Sequence, residues 1–282
     1  MKNRNVSKVG FAVFLIITII YLMPLLVTFT NSLMSSKEVE RNYITSSVDD
    51  EYIRMDLIPE KITLRQYEKL LFDTPIYLYM FWNTIKIVLP IVIGQILVSA
   101  PCAYAFTVMK FKGKEILFFA YIIAMLLPLQ VTLMPNYIVA DWLGIKDSYL
   151  SIILPGIFNP FGVFLLRQYM KSIPENYIEA AKIDGAGHLQ IFGMIVLPMI
   201  EQGIAAVFVL TLLDYWNLVD QAVVFIQDTE KMPLSTFLAG INAGEQGVAF
   251  AGSCFYAIPV ILLVFYGQKY LRNGISIAGI KG

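Results

Sequence analysis

Side chains that carry chemistry are scarce in this sequence. It holds two cysteines and one histidine, and only 15% of its 282 residues are Asp, Glu, Lys or Arg, where soluble domains carry about a quarter. Each shortage excludes something. Cys102 and Cys254 both fall inside apolar runs, which argues against a disulfide framework and a zinc site. His188 has no second histidine or cysteine near it in sequence, so it reads as a surface histidine and not as a ligand. No G-x-x-x-x-G-K-[ST] run occurs, so this chain does not bind and split nucleotide through a phosphate loop. No Cys/His, Ser/His or metal cluster has a spacing that supports catalysis, which weighs against an integral membrane enzyme. Basic and acidic residues balance at 21 each, and no global field points to nucleic acid. Internal repeats and low-complexity tracts are also missing.

What fills the chain instead is hydrocarbon. Hydrophobic residues make up 57% and mean hydropathy is +0.67. A spanning helix needs roughly 20 mostly apolar residues, because each adds about 1.5 Å across a core about 30 Å thick. Gly10 to Phe29, Ile87 to Met109, Ile116 to Ala140, Tyr149 to Leu166 and Val248 to Gln268 each lack any charged residue. A sixth run, Ile195 to Leu218, is interrupted by Glu201 and Asp214 and is counted as well. The expectation is an all-α membrane protein with six transmembrane helices. Lys2, Arg4 and Lys8 precede the first run, but that run is longer than a signal core and no small-x-small cleavage site follows, so it is expected to stay as an anchor.

Charge sets the orientation. With the N-terminus in the cytoplasm, Lys110, Lys112 and Lys114, then Arg167, Lys171 and Lys182, then Lys269, Arg272 and Lys281 all fall inside, while the short outer loops hold only Lys146 and Lys231. That bias predicts both termini in the cytoplasm of a multi-pass protein of the cell membrane. Three regions follow: residues 1–75, an anchor plus a short extracytoplasmic segment; 76–272, the membrane core; and 273–282, a cytoplasmic tail. In the first, a helix is expected over Leu64 to Phe72. A short re-entrant or surface helix is expected around Leu234 to Ile241. Span three contains Pro128 and Pro135, and span four contains Pro155, Pro160 and Asn159. Proline frees a backbone carbonyl, so these spans are either kinked bundle helices or direct contributors to a solute path.

The stretch ENYIEAAKIDGAGHLQIFGMIVLP, residues 175 to 198, is too polar for hydrocarbon. Ser172 with Glu175 suggests a capping box, Pro174 suits a first turn, and Gly185 should stop the helix before Ala186 to Gln190 restart it. Two short helices at an angle on the membrane surface are expected. Ile173, Tyr177 and Ala181 would share one stripe, with Glu179 and Lys182 off it. Such a helix suits a groove on a soluble partner, with Glu179 seeking an Arg; it equally suits an interfacial helix with a solvated face.

Glu179-Ala180-Ala181, then Gly185, then Ile195-Val196-Leu197-Pro198 at fixed offsets resemble the EAA signature of permease subunits of ATP-binding-cassette importers. The flanks NTIKIVLPIVIGQILVSAPCAYAFTVMKFKG, LLPLQVTLMPNYIVADWLGIKDSYLSIILP and GVFLLRQYMKSIPENYIEAAKIDGA, with YWN late in span five, are similar to the carbohydrate-type, maltose-permease-like branch. The likeness runs from about Trp82 to the C-terminus. It implies a type I importer permease fold, with Glu179, Ala180, Ala181, Asp184 and Gly185 in coupling helices that dock on ATPase subunits. It also implies a second homologous permease, two ATPase subunits that bind ATP and Mg, an extracytoplasmic solute-binding protein, and no cofactor in this chain. The tail GISIAGIKG resembles the family's ending, read either as an extended insertion toward the ATPase or as a frayed terminus. Members often carry a basic residue and a proline shortly after the LP pair, where this chain has Glu201 and Gln202.

A charge in mid-span costs about 3 kcal/mol, so a span that tolerates two faces protein or water. On a straight helix Asp214 lies roughly 25 Å beyond Leu197. Asp214, Asn217 and Gln221 then form one stripe, with Tyr215 and Trp216 alongside. Carboxylates and amides bond hydroxyls and aromatic faces pack on sugar rings, so these five are the candidate solute path; hydrogen bonding to a neighbouring helix is the alternative. Glu201 is expected to pair across helices. A secondary transporter is the rival function, although neither repeats nor a midplane ion site can be pointed to.

Overall fold

The fold was obtained as a computed structural model that describes residues 2–43, 57–240 and 244–279. Part of the extracytoplasmic segment, Ile241 and the last three residues of the tail lie outside them. Among the described residues there is no strand. The helices are α1 (Lys2–Ser32), α2 (Ser36–Tyr43), α3 (Arg65–Glu68, continued by a π turn Lys69–Asp73), α4 (Pro75–Val108), α5 (Lys114–Leu126), α6 (Leu129–Trp142), α7 (Leu150–Ile157) and α8 (Pro160–Lys171). After these come α9 (Glu175–Ile183), α10 (His188–Gln190), a π turn Ile191–Val196, α11 (Leu197–Met199), α12 (Glu201–Trp216), α13 (Asp220–Phe225), α14 (Leu234–Ala239) and α15 (Gln246–Gly279). Helix is thus present where it was expected at Leu64 to Phe72 and from Leu234 onward.

Four runs are long and apolar enough to cross a bilayer: Gly10–Ser32, Pro75–Val108, Leu150–Lys171 and Gln246–Gln268. Two bent pairs bring the number to six: Lys114–Leu126 with Leu129–Trp142 at 104°, and His188–Met199 with Glu201–Trp216 at 72°. Spans three and five are therefore broken, where straight or gently kinked helices were expected. The first break follows from Pro128, which drives Leu127 to an extended conformation (ψ 126°) and ends α5. The second follows Pro198, which has no N–H to donate; the π turn lies directly before it and Ile200 leaves the helical region (φ −107°, ψ 18°). The tail also departs from expectation. The α15 backbone stays helical through Gly279, so GISIAG is neither extended nor frayed.

The chain divides into two compact units, Met1–Tyr79 with Phe237–Ile258, and Met80–Thr236 with Pro259–Gly282. In the first, Leu70, Tyr77 and Val248 form a small core with Ile76, Phe237 and Phe255 packed on it. Tyr77 donates to Glu245 at 3.1 Å, and Asn31 donates to Tyr43 at 2.8 Å. The apolar window of α1 buries nothing within the chain, as a lipid-facing anchor should.

The second unit holds both candidate sites. Its helices approach closely at small residues: a Cβ on Gly156 would meet Ile91 at 2.9 Å, and one on Gly203 would meet the Tyr169 ring at 2.7 Å. The C-terminus of α4 is closed by two cations. Lys114 Nζ donates to the carbonyls of Thr107 (2.9 Å) and Met109 (3.1 Å). Arg167, buried, donates to the Phe106 carbonyl at 3.2 Å, pairs with Glu115 at 3.1 Å and lies 3.7 Å over the Phe118 ring. These carbonyls have no partner within the helix, and the cations also complement its dipole. At the opposite end of the helices, Asp147 (φ 54°) accepts from the amides of Gln227 (2.9 Å) and Asp228 (3.1 Å), and Lys231 reaches its carboxylate at 3.2 Å. Asn83 donates to the Glu230 and Met232 carbonyls, which pins the same loop to α4.

Candidate functional site

Two constructions in the second unit qualify, an elbow and a cavity. The elbow begins where α8 ends at Lys171. Ser172 does not form the expected capping box. Its hydroxyl bonds the Tyr169 carbonyl at 2.7 Å, so it closes α8, and α9 starts at Glu175 after an extended Pro174 (ψ 131°). Gly185 ends α9 at φ +84°, where a side chain would be strained. Ala186 N–H bonds the Ala181 carbonyl at 2.9 Å and Gly185 N–H bonds that of Lys182 at 3.1 Å, which is the Schellman closure. Gln190 Oε1 then accepts from Gly187 N–H at 2.9 Å and caps α10.

The elbow's seam consists of Ile178, buried, with Ile173, Ala181 and Ala186 packed on the core around Ile191, Val196 and Ile200. The expected stripe through Tyr177 is corrected by one position: Ile173 precedes the first turn of α9 and cannot set its phase, and Tyr177 is 55% exposed. Glu179, Ala180, Asp184 and Gly185 face outward, and Ala181 is half-buried. Ile183 and Leu189 are each 86% exposed on either side of the glycine turn. That is apolar surface with no cover from this chain, bordered by carboxylates. Neither Glu179 nor Asp184 makes an ion pair among the described residues. His188 is exposed, with Nδ1 3.0 Å from the Tyr104 hydroxyl.

The cavity, about 620 Å³, forms where three helix interruptions meet: the α5–α6 break, the α7–α8 joint and the end of α12. Asp214, Tyr215, Asn217 and Gln221 line it; Trp216 does not. Trp216 points away into the packing, 6.1 Å and edge-on to Phe81. The stripe was drawn on a continuous helix, but α12 stops at Trp216 and resumes as α13 only at Asp220. The break adds Asp220 to the wall. Sequence reasoning missed Asn136, Thr132 and Asp220, while Asn159, which it named only as part of a span with two possible roles, lines the cavity as well. Asn159-Pro160 carried a usable signal, a capping residue before a proline that suits a helix start.

A buried polar chain supports the wall. Thr211 donates to Gln95 Oε1 at 2.5 Å, and Gln95 Nε2 donates to the Asn159 carbonyl at 3.4 Å. Asn159 Oδ1 accepts from Phe161 N–H at 3.0 Å, which caps α8, while its amide lies 3.5 Å from the Tyr215 hydroxyl. Ser235 donates to the Leu218 carbonyl, freed where α12 ends. Glu201, at the first turn of α12, is exposed, and the expected cross-helix partner is not found among the described residues. No group of three or more potential metal ligands occurs among the described residues.

Comparison with known proteins gives a consistent result. Residues 95–277 match the family described as the binding-protein-dependent transport system inner membrane component. The chain is 28% identical to the arabinooligosaccharides transport system permease protein AraQ of Bacillus subtilis, over 95% of this chain and 94% of that protein. It is 32% identical to the osmoprotective compounds uptake permease protein GgtD of Synechocystis sp., over 71% and 70%. Among solved structures, a chain from a bacterial ABC transporter involved in import of the acidic polysaccharide alginate superposes with a TM-score of 0.81 at 25% identity, covering 95% of this chain and 97% of that one.

Proposed function

The chain belongs to the family of inner membrane components of binding-protein-dependent transport systems and is a permease subunit, a transport component and not an enzyme; on that premise we propose that it imports a sugar or oligosaccharide. The names of its relatives support a glycan solute. The observation that carries the mechanism is the elbow, an apolar surface on a closed, rigid turn that presents Glu179, Ala180, Asp184 and Gly185 outward over Ala181.

In this reading the elbow is a coupling helix pair in the cytoplasm. ATPase subunits, which hold ATP and Mg, cover Ile183 and Leu189 and pair with Glu179; burying two such side chains contributes about 3–6 kcal/mol. Two ATPase subunits act beneath this chain and a second homologous permease. Closure of the ATPases pushes the elbow, and because the seam at Ile178 is buried within the core cluster, the push passes to the bundle through close-packed side chains. The 72° break at Ile200 and the 104° break at Leu127 are the joints about which the wall moves. Solute delivered by an extracytoplasmic binding protein passes Asp214, Tyr215, Asn217 and Gln221, with Trp216 behind them as support. Both termini lie in the cytoplasm, α1 anchors residues 1–75 in lipid, and 76–272 form the transport core.

Reconstitution tests this. The purified chain, with its second permease, ATPases and binding protein in proteoliposomes, should accumulate labelled oligosaccharide only with ATP. Accumulation driven by an ion gradient without ATP, or failure of any ATPase to copurify, would remove the reading.

A further inference from the structure

The cavity wall carries two carboxylates, Asp214 and Asp220, and no lysine, arginine or histidine among its described lining residues. Neither carboxylate makes an ion pair among the described residues. The nearby cations are already engaged: Lys146 pairs with Asp141 at 3.2 Å, and Lys231 with Asp147 and Asp228 at 3.2 and 3.4 Å. Arg167 is held by Glu115 at the far end of α8. The rest of the polar lining is neutral, with Asn136, Asn159, Asn217, Gln221 and Thr132, beside the apolar Phe158, 61% exposed, and the phenol Tyr215.

From this we infer that the cavity selects solute by charge: it admits neutral or cationic glycans and rejects anionic ones, whether uronates or sugar phosphates. The inference rests on the solute-path reading above. An anionic sugar brought against this wall meets two like charges in a space walled by low-dielectric side chains, where repulsion is poorly screened. It would also forfeit its hydration without finding a cationic donor, and a carboxylate or phosphate out of water is costly unless it is paired. A hydroxyl-rich neutral ring meets the opposite situation. Carboxylates accept its O–H groups, the amides both accept and donate, and the exposed Phe158 face packs on its C–H surface. An amino sugar gains an ion pair as well. The alginate importer resembles this chain in fold and carries an acidic polysaccharide; this chain should not.

The test has two arms, both on the assembled transporter in proteoliposomes. In the first, Asn217→Cys is reacted with a cationic (trimethylammonium-ethyl) and an anionic (sulfonatoethyl) methanethiosulfonate, with labelling read on the tryptic peptide and normalised to a small free thiol. The ratio cancels any change in thiol acidity. Labelling should favour the cationic reagent by about tenfold or more, and adding Asp214→Asn and Asp220→Asn should bring the ratio near that of the free thiol. In the second, the wild-type transporter is given an equimolar pool of maltotriose, chitosan trimer and trigalacturonate, with glucose 6-phosphate. Accumulated solute should be neutral or cationic, with anionic sugars at least about tenfold lower.

Equal or anion-favouring labelling overturns the inference and leaves the path reading intact. Cation-favouring labelling together with brisk uptake of trigalacturonate or glucose 6-phosphate shows that solute does not pass this wall, so it is the path reading that fails. Cation-favouring labelling with anions excluded from uptake supports both.

Discussion

The elbow is built from one contiguous stretch, residues 173–191, whereas the cavity draws on α5, α6, the α7–α8 joint and the end of α12. The elbow's polar groups are satisfied locally: Ala186 and Gly185 close on carbonyls five and three residues back, and Gln190 caps Gly187. The cavity's are satisfied across the fold, through Gln95, Thr211 and Asn159 on three different elements. Among the described residues, the elbow leaves apolar side chains uncovered and the cavity leaves carboxylates without an ion pair. On the proposed reading, the surface that docks a partner is made by a locally determined turn, and the surface that meets and releases solute is made by tertiary convergence of helix ends.

Breaking the elbow should have the largest effect. Glu179→Lys is expected to leave insertion and ATP hydrolysis in place while uptake falls roughly tenfold to hundredfold, the consequence of losing about 1.5–3 kcal/mol of charge-assisted bonding. Parallel measurement of phosphate release and solute accumulation reads this directly; normal uptake would take Glu179 out of the mechanism. Gly185→Val should cost about 1–2 kcal/mol and lower the yield of assembled complex. A Cβ there meets nothing within 4 Å, so the cost is purely backbone. Gly185→Asn should therefore recover most of the yield, and equal loss in both variants would point to sterics and away from φ.

The cavity wall should respond more mildly. Thr211→Val removes one interhelical hydrogen bond, worth about 0.6–2 kcal/mol, Gln95→Leu removes that bond and the one to the Asn159 carbonyl, and each lowers the melting temperature of the detergent-solubilised complex. The double variant should cost little more than the larger single, because both end the same bond; additive losses would break that account. The smallest effect belongs to the loop clasp. The amides of Asp228 and Gln227, and then Lys231, hold the Asp147 carboxyl below its ordinary value near 3.8. A lowered folded pKa means the clasp's contribution is complete above about pH 3.8 and is lost as pH falls through the folded value. Amide exchange at Gln227 and Asp228 should accelerate only in that acid range, and Asp147→Asn should loosen the same amides at neutral pH.

Much of this was legible beforehand. Six apolar spans, the stop at Gly185 and the outward Glu179 follow from composition and local turn chemistry. The phase of α9 is not legible, because Ile173 has the spacing of a helix that starts two residues later. The position of Trp216 is not legible either, because the spacing of Asp214, Asn217 and Gln221 implies a continuous helix where α12 stops. Asp220 and Asn136 carried no local signal, since their neighbours in the wall are remote in sequence.

Bilayer energetics and backbone satisfaction act over a few to about twenty residues, and for that reason the order of residues alone determined that this is a spanning helical protein with a glycine-hinged polar turn. Which side chains share a cavity depended on how sharply α5–α6 and α11–α12 bend and on where α12 stops. Proline places those bends, but the side chains they bring together belong to helices distant in sequence. Only the assembled tertiary structure could therefore put two carboxylates, unpaired among the described residues, on one wall and turn the indole away from it.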